Sequence, residues 1–362
     1  MHELSRKTRP YSQYCVIDLL KVLAAQIIIL HHCVSYGQLA EQIRAVMPEL
    51  TSFLYDYGRY AVQIFLVMAG YLAAQSLGKL FTIAQRKPRS ILIAQLAARR
   101  YLRLIGPYLV ALIITILSAV IARHWLSDEY VGQPETLTQL LAHVFLLHGL
   151  MGYDSISAGA WYIAIDWQLY TSFAIVLILF PNKAKQIAVL VVLMLLSLFF
   201  FNRDAAFENY FIYFIGSYGL GAIAFWAADR RIQKLFLILG VVIAISALHS
   251  VWLRNYVALG TAIVLSYLGQ WSYTANAQGN LLIKGMMQFL QWAGARSYCA
   301  FLIHFTFILL ANTALTAFNL EAPEIAFVLL GLVCLLSWIA ANYLYRWVEL
   351  PVGRWQPHFL FR

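Results

Sequence analysis

The 362-residue chain is poor in charge: Asp, Glu, Lys and Arg together make up 12% of it, against 62% hydrophobic residues and a mean hydropathy of +0.71. That balance excludes a soluble globular protein. Cysteine is scarce as well. Cys15, Cys33, Cys299 and Cys334 fall in or beside apolar runs without Cys-x-x-Cys spacing, which argues against a disulfide framework and against a thiolate metal site. No internal repeat, no low-complexity tract and no polar stretch long enough for a soluble domain interrupts the chain.

What remains is a succession of apolar runs with short polar joints, which predicts an integral-membrane, all-α polytopic bundle rather than a barrel of alternating strands. Ten spans are expected, near 16–36, 60–78, 102–122, 160–180, 187–201, 209–228, 235–253, 255–271, 297–317 and 325–345. Residues 1–362 then form one membrane domain: a cytoplasmic segment 1–15, a transmembrane bundle 16–345 and a cytoplasmic tail 346–362.

Charge placement sets the orientation. With the N-terminus in the cytoplasm, the joints on that side collect Arg6, Lys7 and Arg9, the seven basic residues from Lys79 to Arg103, and Lys183, Lys185, Arg230, Arg231, Lys234, Lys284, Arg296, Arg346, Arg354 and Arg362. The opposite joints hold only Arg44, Arg59, Arg123, Arg203 and Arg254, against more than twice as many acidic residues. Both termini are therefore expected in the cytoplasm, and the net charge of +10 reads as an insertion signal, with nothing favouring nucleic-acid binding. The first run is too long for a signal-peptide core, carries Lys21 and two histidines and lacks a small-residue cleavage site, so it is read as a retained helix. In the long outer joint, Leu137 to Leu150 is amphipathic and suits the membrane surface.

Lys21 and His32 are ionisable groups inside the first run, eleven positions apart and so on nearly the same helix face, roughly 16 Å apart along the axis. Such groups in a membrane helix line a wet cavity or a reaction path. An imidazole with an ordinary pKa of about 6.5 suits His32 to general-base chemistry. His31 is the competing base, projecting about 100° away. Lys21, too far from His32 to bond it, either faces a phosphate-bearing ligand or reaches the inner headgroups beside Asp18.

These residues and others in order resemble the acyltransferase-3 family of integral-membrane acyltransferases. The basic residue, ten residues and histidine of the first helix match Lys21 and His32. The segment from Gln63 to Leu72 resembles the second-helix pattern, with Ala69 in place of the usual serine. Arg99, Arg100 and Arg103 ahead of Pro107 resemble the family's arginine cluster, and Trp161 to Tyr170 its tryptophan-led segment, with Asp166 at the first acidic position and Trp167 at the second. Ser297-Tyr298 with His304 resembles a late-helix pattern, in which Thr306 replaces a frequent proline. Tyr345-Arg346-Trp347-Val348-Glu349-Leu350-Pro351 resembles the terminal motif.

The resemblance implies transfer of an acyl group, most often acetyl, from cytoplasmic acyl-CoA to a hydroxyl of a sugar or lipid-linked glycan at the outer side of a bacterial inner membrane; a succinyl or longer donor would need the same phosphate clamp. His32 would be the base or would itself carry the acyl group. Asp166 would orient an imidazole or bind acceptor hydroxyls, or else pair with Lys21 or an arginine in helix packing. Lys21, Arg99, Arg100 and Arg103 would hold the CoA phosphates, with guanidinium forks suited to them, although such arginines also serve as positive-inside anchors. Trp161, Tyr162, Tyr170 and His304 would contact the acceptor, although the aromatics also suit interface anchoring and His304 an internal hydrogen bond. No metal is expected, and the oligomeric state is not readable. A transporter or flippase with a Lys/His/Asp path is the alternative, weakened by the absence of paired halves.

Overall fold

Four of the helices start where the sequence supplies a capping group or a proline. Asn182 accepts from the backbone N–H groups of Ala184 and Lys185, Thr136 accepts from that of Gln139, and Pro48 and Pro323 occupy first turns. The computed structural model describes residues 15–81, 88–127, 131–180, 182–247, 252–269 and 281–354, and among these there are helices but no strand. The helices are α1 (Cys15–Cys33), α2 (Gly37–Val46), α3 (Pro48–Tyr57), α4 (Val62–Phe81), α5 (Arg89–Ala122), α6 (Leu137–Val144) and α7 (Ala160–Leu179). They continue with α8 (Lys183–Phe199), α9 (Phe211–Trp226), α10 (Arg230–Ala247), α11 (Trp252–Leu268), α12 (Leu281–Ala317), α13 (Pro323–Leu344) and a short α14 (Leu350–Arg354). Residues 1–14 of the expected N-terminal segment, residues 355–362 of the tail, Arg86 and Lys87 lie outside the described residues.

Each of the ten expected runs is helical over most of its described residues, and among the described residues seven stretches are long and apolar enough to cross a membrane. These are Cys15–Cys33, Pro48–Gly78, Arg89–Ala122, Ala160–Leu179, Lys183–Arg203, Leu282–Ala317 and Pro323–Arg354. Phe211–Trp226 and Leu253–Leu268 are apolar but shorter, and α10 begins with Arg230, Arg231 and Lys234. Two helices extend well beyond the expected spans: α5 starts at Arg89 and α12 at Leu281, because no proline separates these starts from the expected span. Large apolar side chains such as Leu117, Ile238 and Val241 stand exposed on the flanks, as suits a protein whose solvent is lipid.

Two close approaches hold the bundle together. Gly70 of α4 lies directly against the backbone carbonyl of Tyr218 in α9, and Gly221 against that of Val67, leaving no room for a Cβ at either glycine. Gln63 and Ser217 bond across the same pair of helices at 2.6 Å. On the other side α1 runs alongside α12, with Asp18 against Gly294 near one end and, just past the other, the Leu39 N–H donating to Asn312 at 2.9 Å. That alignment places residues 32 and 304 opposite each other. The α5 helix packs between α7 and α12, so the arginines of α5 face Asp166 of α7 and Tyr298 of α12.

Candidate active site

A cavity of about 450 Å³ opens beside the C-terminal end of α1. Its wall takes His31, His32 and Tyr36 from α1 and the turn after it, Arg59 and Val62 from the approach to α4, Trp161 from α7, and Phe301 and Phe305 from α12. The connection between α5 and α7 closes the remaining side through Val131, Gly132, Ser155, Ile156 and Ala158. That connection is tied down at both ends. Arg123 pairs with Glu135 at 2.7 Å and donates to the carbonyls of Gly132 and Gln133, while His143 of α6 donates from Nδ1 to the Gln139 carbonyl and accepts the Ile156 N–H at Nε2.

Inside the cavity wall the hydrogen bonds fix the tautomers of the histidines. His32 Nδ1 lies 2.7 Å from His304 Nε2, with the rings within 6° of parallel and their centroids 5.0 Å apart, which is the geometry of an in-plane hydrogen bond. His304 Nδ1 is 2.8 Å from the Phe301 carbonyl, which can only accept, so that nitrogen carries the hydrogen. A neutral His304 therefore accepts at Nε2, His32 donates from Nδ1, and the lone pair of His32 is left on Nε2. His304 itself is fully buried. His31 is arranged in the same way: its Nδ1 donates to the Leu54 carbonyl at 2.9 Å, leaving Nε2 as an acceptor, and its ring centroid is 5.1 Å from that of His32.

A second polar cluster lies roughly 16 Å along α1 from His32, at the level of Lys21. Lys21 pairs with Asp18 at 3.4 Å. Arg100 grips Asp166 through both carboxylate oxygens, Nε to Oδ2 at 2.8 Å and one terminal nitrogen to Oδ1 at 2.7 Å, and sits 5.1 Å from the centroid of the Tyr170 ring. Arg103 is within electrostatic reach of Arg100, Asp166, Tyr298 and Glu349. Glu349 arrives through a π-helical turn, Tyr345–Glu349, that continues α13, and the buried Cys299 thiol donates to its carboxylate at 3.0 Å. Such wide turns concentrate at functional sites because they re-aim a side chain that a regular helix would point elsewhere.

A bundle with a histidine relay at one polar site and an arginine cluster at the other narrows the comparison with known proteins, and a family model described as an acyltransferase domain of the acyltransferase-3 type matches residues 16–342. The chain belongs to the acyltransferase-3 family. Comparison with curated proteins and with solved structures gave no match. Family and helices together make it a membrane-embedded acyltransferase.

In this acyltransferase the residues singled out from the sequence separate into two groups. His32 and Trp161 line the cavity; Tyr162, Tyr170 and His304, expected to touch the acceptor, do not. Tyr162 projects about 100° around α7 from Trp161 and packs against Phe65 and Phe301, while Tyr170 lies nine residues further along and meets Arg100 instead. Asp166 touches no imidazole: its partner is Arg100, which matches the packing alternative and commits one of the four residues expected to hold the donor. Arg99, like Arg100 and Arg103, is on α5, and Lys21 is on α1. Sequence reasoning overlooked Arg59 as part of the cavity; His31, the competing base, lines it as well, as does the long outer joint. Sequence reasoning also passed over the Cys299–Glu349 contact, whose one sequence signal was the terminal motif. Among the described residues no group of three or more His, Cys, Asp or Glu is placed to hold a metal ion.

Proposed function

We propose that this acyltransferase moves an acyl group from acyl-CoA, held at the arginine end of the bundle, to a hydroxyl of a sugar or lipid-linked glycan bound in the cavity beside His32. Ten spans with both termini in the cytoplasm put the arginine end on the cytoplasmic side and the cavity on the outer side, in keeping with the charge placement along the chain. Lys21, Arg99 and Arg103 hold the phosphates of the donor, while Arg100 keeps Asp166 in place. The separation of roughly 16 Å between Lys21 and His32 suits a donor whose thioester is joined to its phosphates by a long flexible arm.

The observation that carries this reading is the relay from His32 through His304 to the Phe301 carbonyl. The lone pair on His32 Nε2 takes the proton of the acceptor hydroxyl as its oxygen attacks the thioester carbonyl. The charge gained by His32 is stabilised by its Nδ1–H bond to His304, whose own N–H is polarised by Phe301. The tetrahedral intermediate collapses, the carbon–sulfur bond breaks, and the departing thiolate takes the proton back from Nε2. Arg59, the one fixed cation among the lining residues, stabilises the developing oxyanion.

The test is thioester loss from acetyl-CoA by purified wild type and His32→Ala, with a glycan and lipid extract as acceptor. Turnover in the wild type that vanishes in the variant, while CoA binding persists, is the expected result. Retained turnover in His32→Ala, or absence of CoA binding by the wild type, overturns the reading.

A further inference from the structure

A second cavity, of about 380 Å³, adjoins the first and shares two residues with it, Ser155 and Trp161. Each cavity is by itself within the size of an ordinary small-molecule cleft, about 300–1,000 Å³, so each has room for a ring of its own. The chemistry of the two differs. The first contains His31, His32 and Arg59. The second has no Lys, Arg or His in its wall and places the carboxylates of Asp154 and Glu208, the Asn209 amide and the Tyr153 phenol around the apolar faces of Trp161 and Phe214.

That combination has a definite ligand preference. Carboxylates accept and do not donate, so they reward a ligand that presents several hydroxyl or ammonium hydrogens and repel one that carries its own carboxylate or phosphate. Trp161 and Phe214 are held as a stacked pair, centroids 5.5 Å apart at 28°, a preformed apolar wall suited to the C–H face of a ring rather than a flexible chain. The floor is fixed as well. Gln168 of α7 donates to the Asn209 carbonyl and accepts the Phe211 N–H, and Gly149 packs directly against the Asn209 side chain. Such a site loses little entropy on binding.

We infer that the second cavity is an acceptor subsite for a neighbouring sugar ring, uncharged or amine-bearing, so that the acceptor is a glycan of at least two rings: one beside His32 is acylated and the next is held against Trp161 by Asp154 and Glu208. This rests on the proposed glycan acceptor and makes it specific. A free monosaccharide fills only one of the two cavities, and a glycan with a uronate or phosphate in the second position meets two carboxylates.

The experiment offers the purified acyltransferase acetyl-CoA and a defined set of methyl glycosides in detergent. The set holds neutral and amino monosaccharides, the corresponding disaccharides, and disaccharides with a uronate in the second ring, with products read by mass spectrometry. Disaccharides should be acetylated with kcat/KM at least about tenfold above their monosaccharides, and uronate-bearing ones should fall behind by a similar factor. Asp154→Asn with Glu208→Gln, both exposed and so compatible with folding, should erase the discrimination against the uronate. In the inactive His32→Ala protein, saturation-transfer NMR with the best disaccharide should label both rings. Equal rates for one and two rings, labelling of one ring only, or acetylation confined to lipid overturns the subsite while leaving acyl transfer intact. Absence of any thioester cleavage instead overturns the enzymatic reading on which it rests.

Discussion

Arg100 and Asp166 form a two-pronged ion pair between α5 and α7, with the carboxylate 3% exposed. A buried pair of this kind is worth little beyond its own desolvation, yet removing one partner strands a charge, typically at a cost of about 3–5 kcal/mol. Asp166→Leu alone should therefore lower the thermal midpoint sharply in detergent, as should Arg100→Met alone. The double variant should recover most of the loss and keep donor affinity. If the double variant folds but no longer binds CoA, Arg100 belongs to the donor site after all.

In the proposed mechanism His304 acts through His32, to which it is hydrogen-bonded at 2.7 Å. Replacing it with Phe removes the acceptor that fixes the His32 tautomer, and kcat should fall roughly 10²-fold with the donor KM little changed. His304→Gln keeps an acceptor oxygen for His32 Nδ1–H and should restore part of the rate, which a purely structural role would not do. His31→Ala should be milder than His32→Ala, because the Nδ1–H of His31 ends on the Leu54 carbonyl and has no second imidazole behind it. The reverse ranking would transfer the base to His31.

How far these relationships were legible in the sequence depends on their range. The apolar runs that become helices are local patterns and were readable as helices, although the length of α5 and α12 was not, since a helix continues beyond its most apolar stretch where no proline stops it. His32 stood out because a titratable group in an apolar run is conspicuous. His31, the competing base, projects about 100° from His32, but a cavity bounded by several elements spans more than 100° of one helix, so both rings reach it. The types of the α7 tyrosines suit a sugar, while their positions on the helix turn Tyr162 and Tyr170 into the core, which residue type alone does not reveal. The partners His304 to His32 and Glu349 to Cys299 are set by helix register across the bundle, which one sequence alone does not reveal.

The α4–α9 contact gives a packing prediction. Gly221→Ala places a methyl group where the Val67 carbonyl already sits, and Gly70→Ala does the same at Tyr218. Because the obstacle is backbone, the helices must separate, and a loss on the order of 1–3 kcal/mol or more is expected from either change. Gly260→Ala, which meets open space, is the control and should leave the thermal midpoint unchanged. Equal tolerance of all three substitutions would show that the two helices are free to move apart.

The connection that walls the cavity carries its own sensitivity to acid. His143 and His148 lie face to face, centroids 4.1 Å apart at 10°, both buried, and neither ring nitrogen of His148 has a hydrogen-bond partner among the described residues. Burial above all, and then the neighbouring His143, push the pKa of His148 down to about 3. Burial also lowers that of His143, which its bond to the Gln139 carbonyl partly offsets. A histidine whose folded pKa lies below its ordinary value contributes no penalty above about pH 6.5. As the pH falls through that value the unfolded state takes a proton that the folded state refuses, at about 1.4 kcal/mol for each further pH unit. The thermal midpoint of the wild type should therefore drop between about pH 7.5 and about pH 5, and His148→Phe, which keeps a ring in the stack but cannot be protonated, should flatten that slope. Since Ser155 and Ile156 wall the cavity from the same connection, activity should decline over the same range in the wild type and recover on returning to neutral pH. Identical slopes for the two proteins would place the acid sensitivity elsewhere.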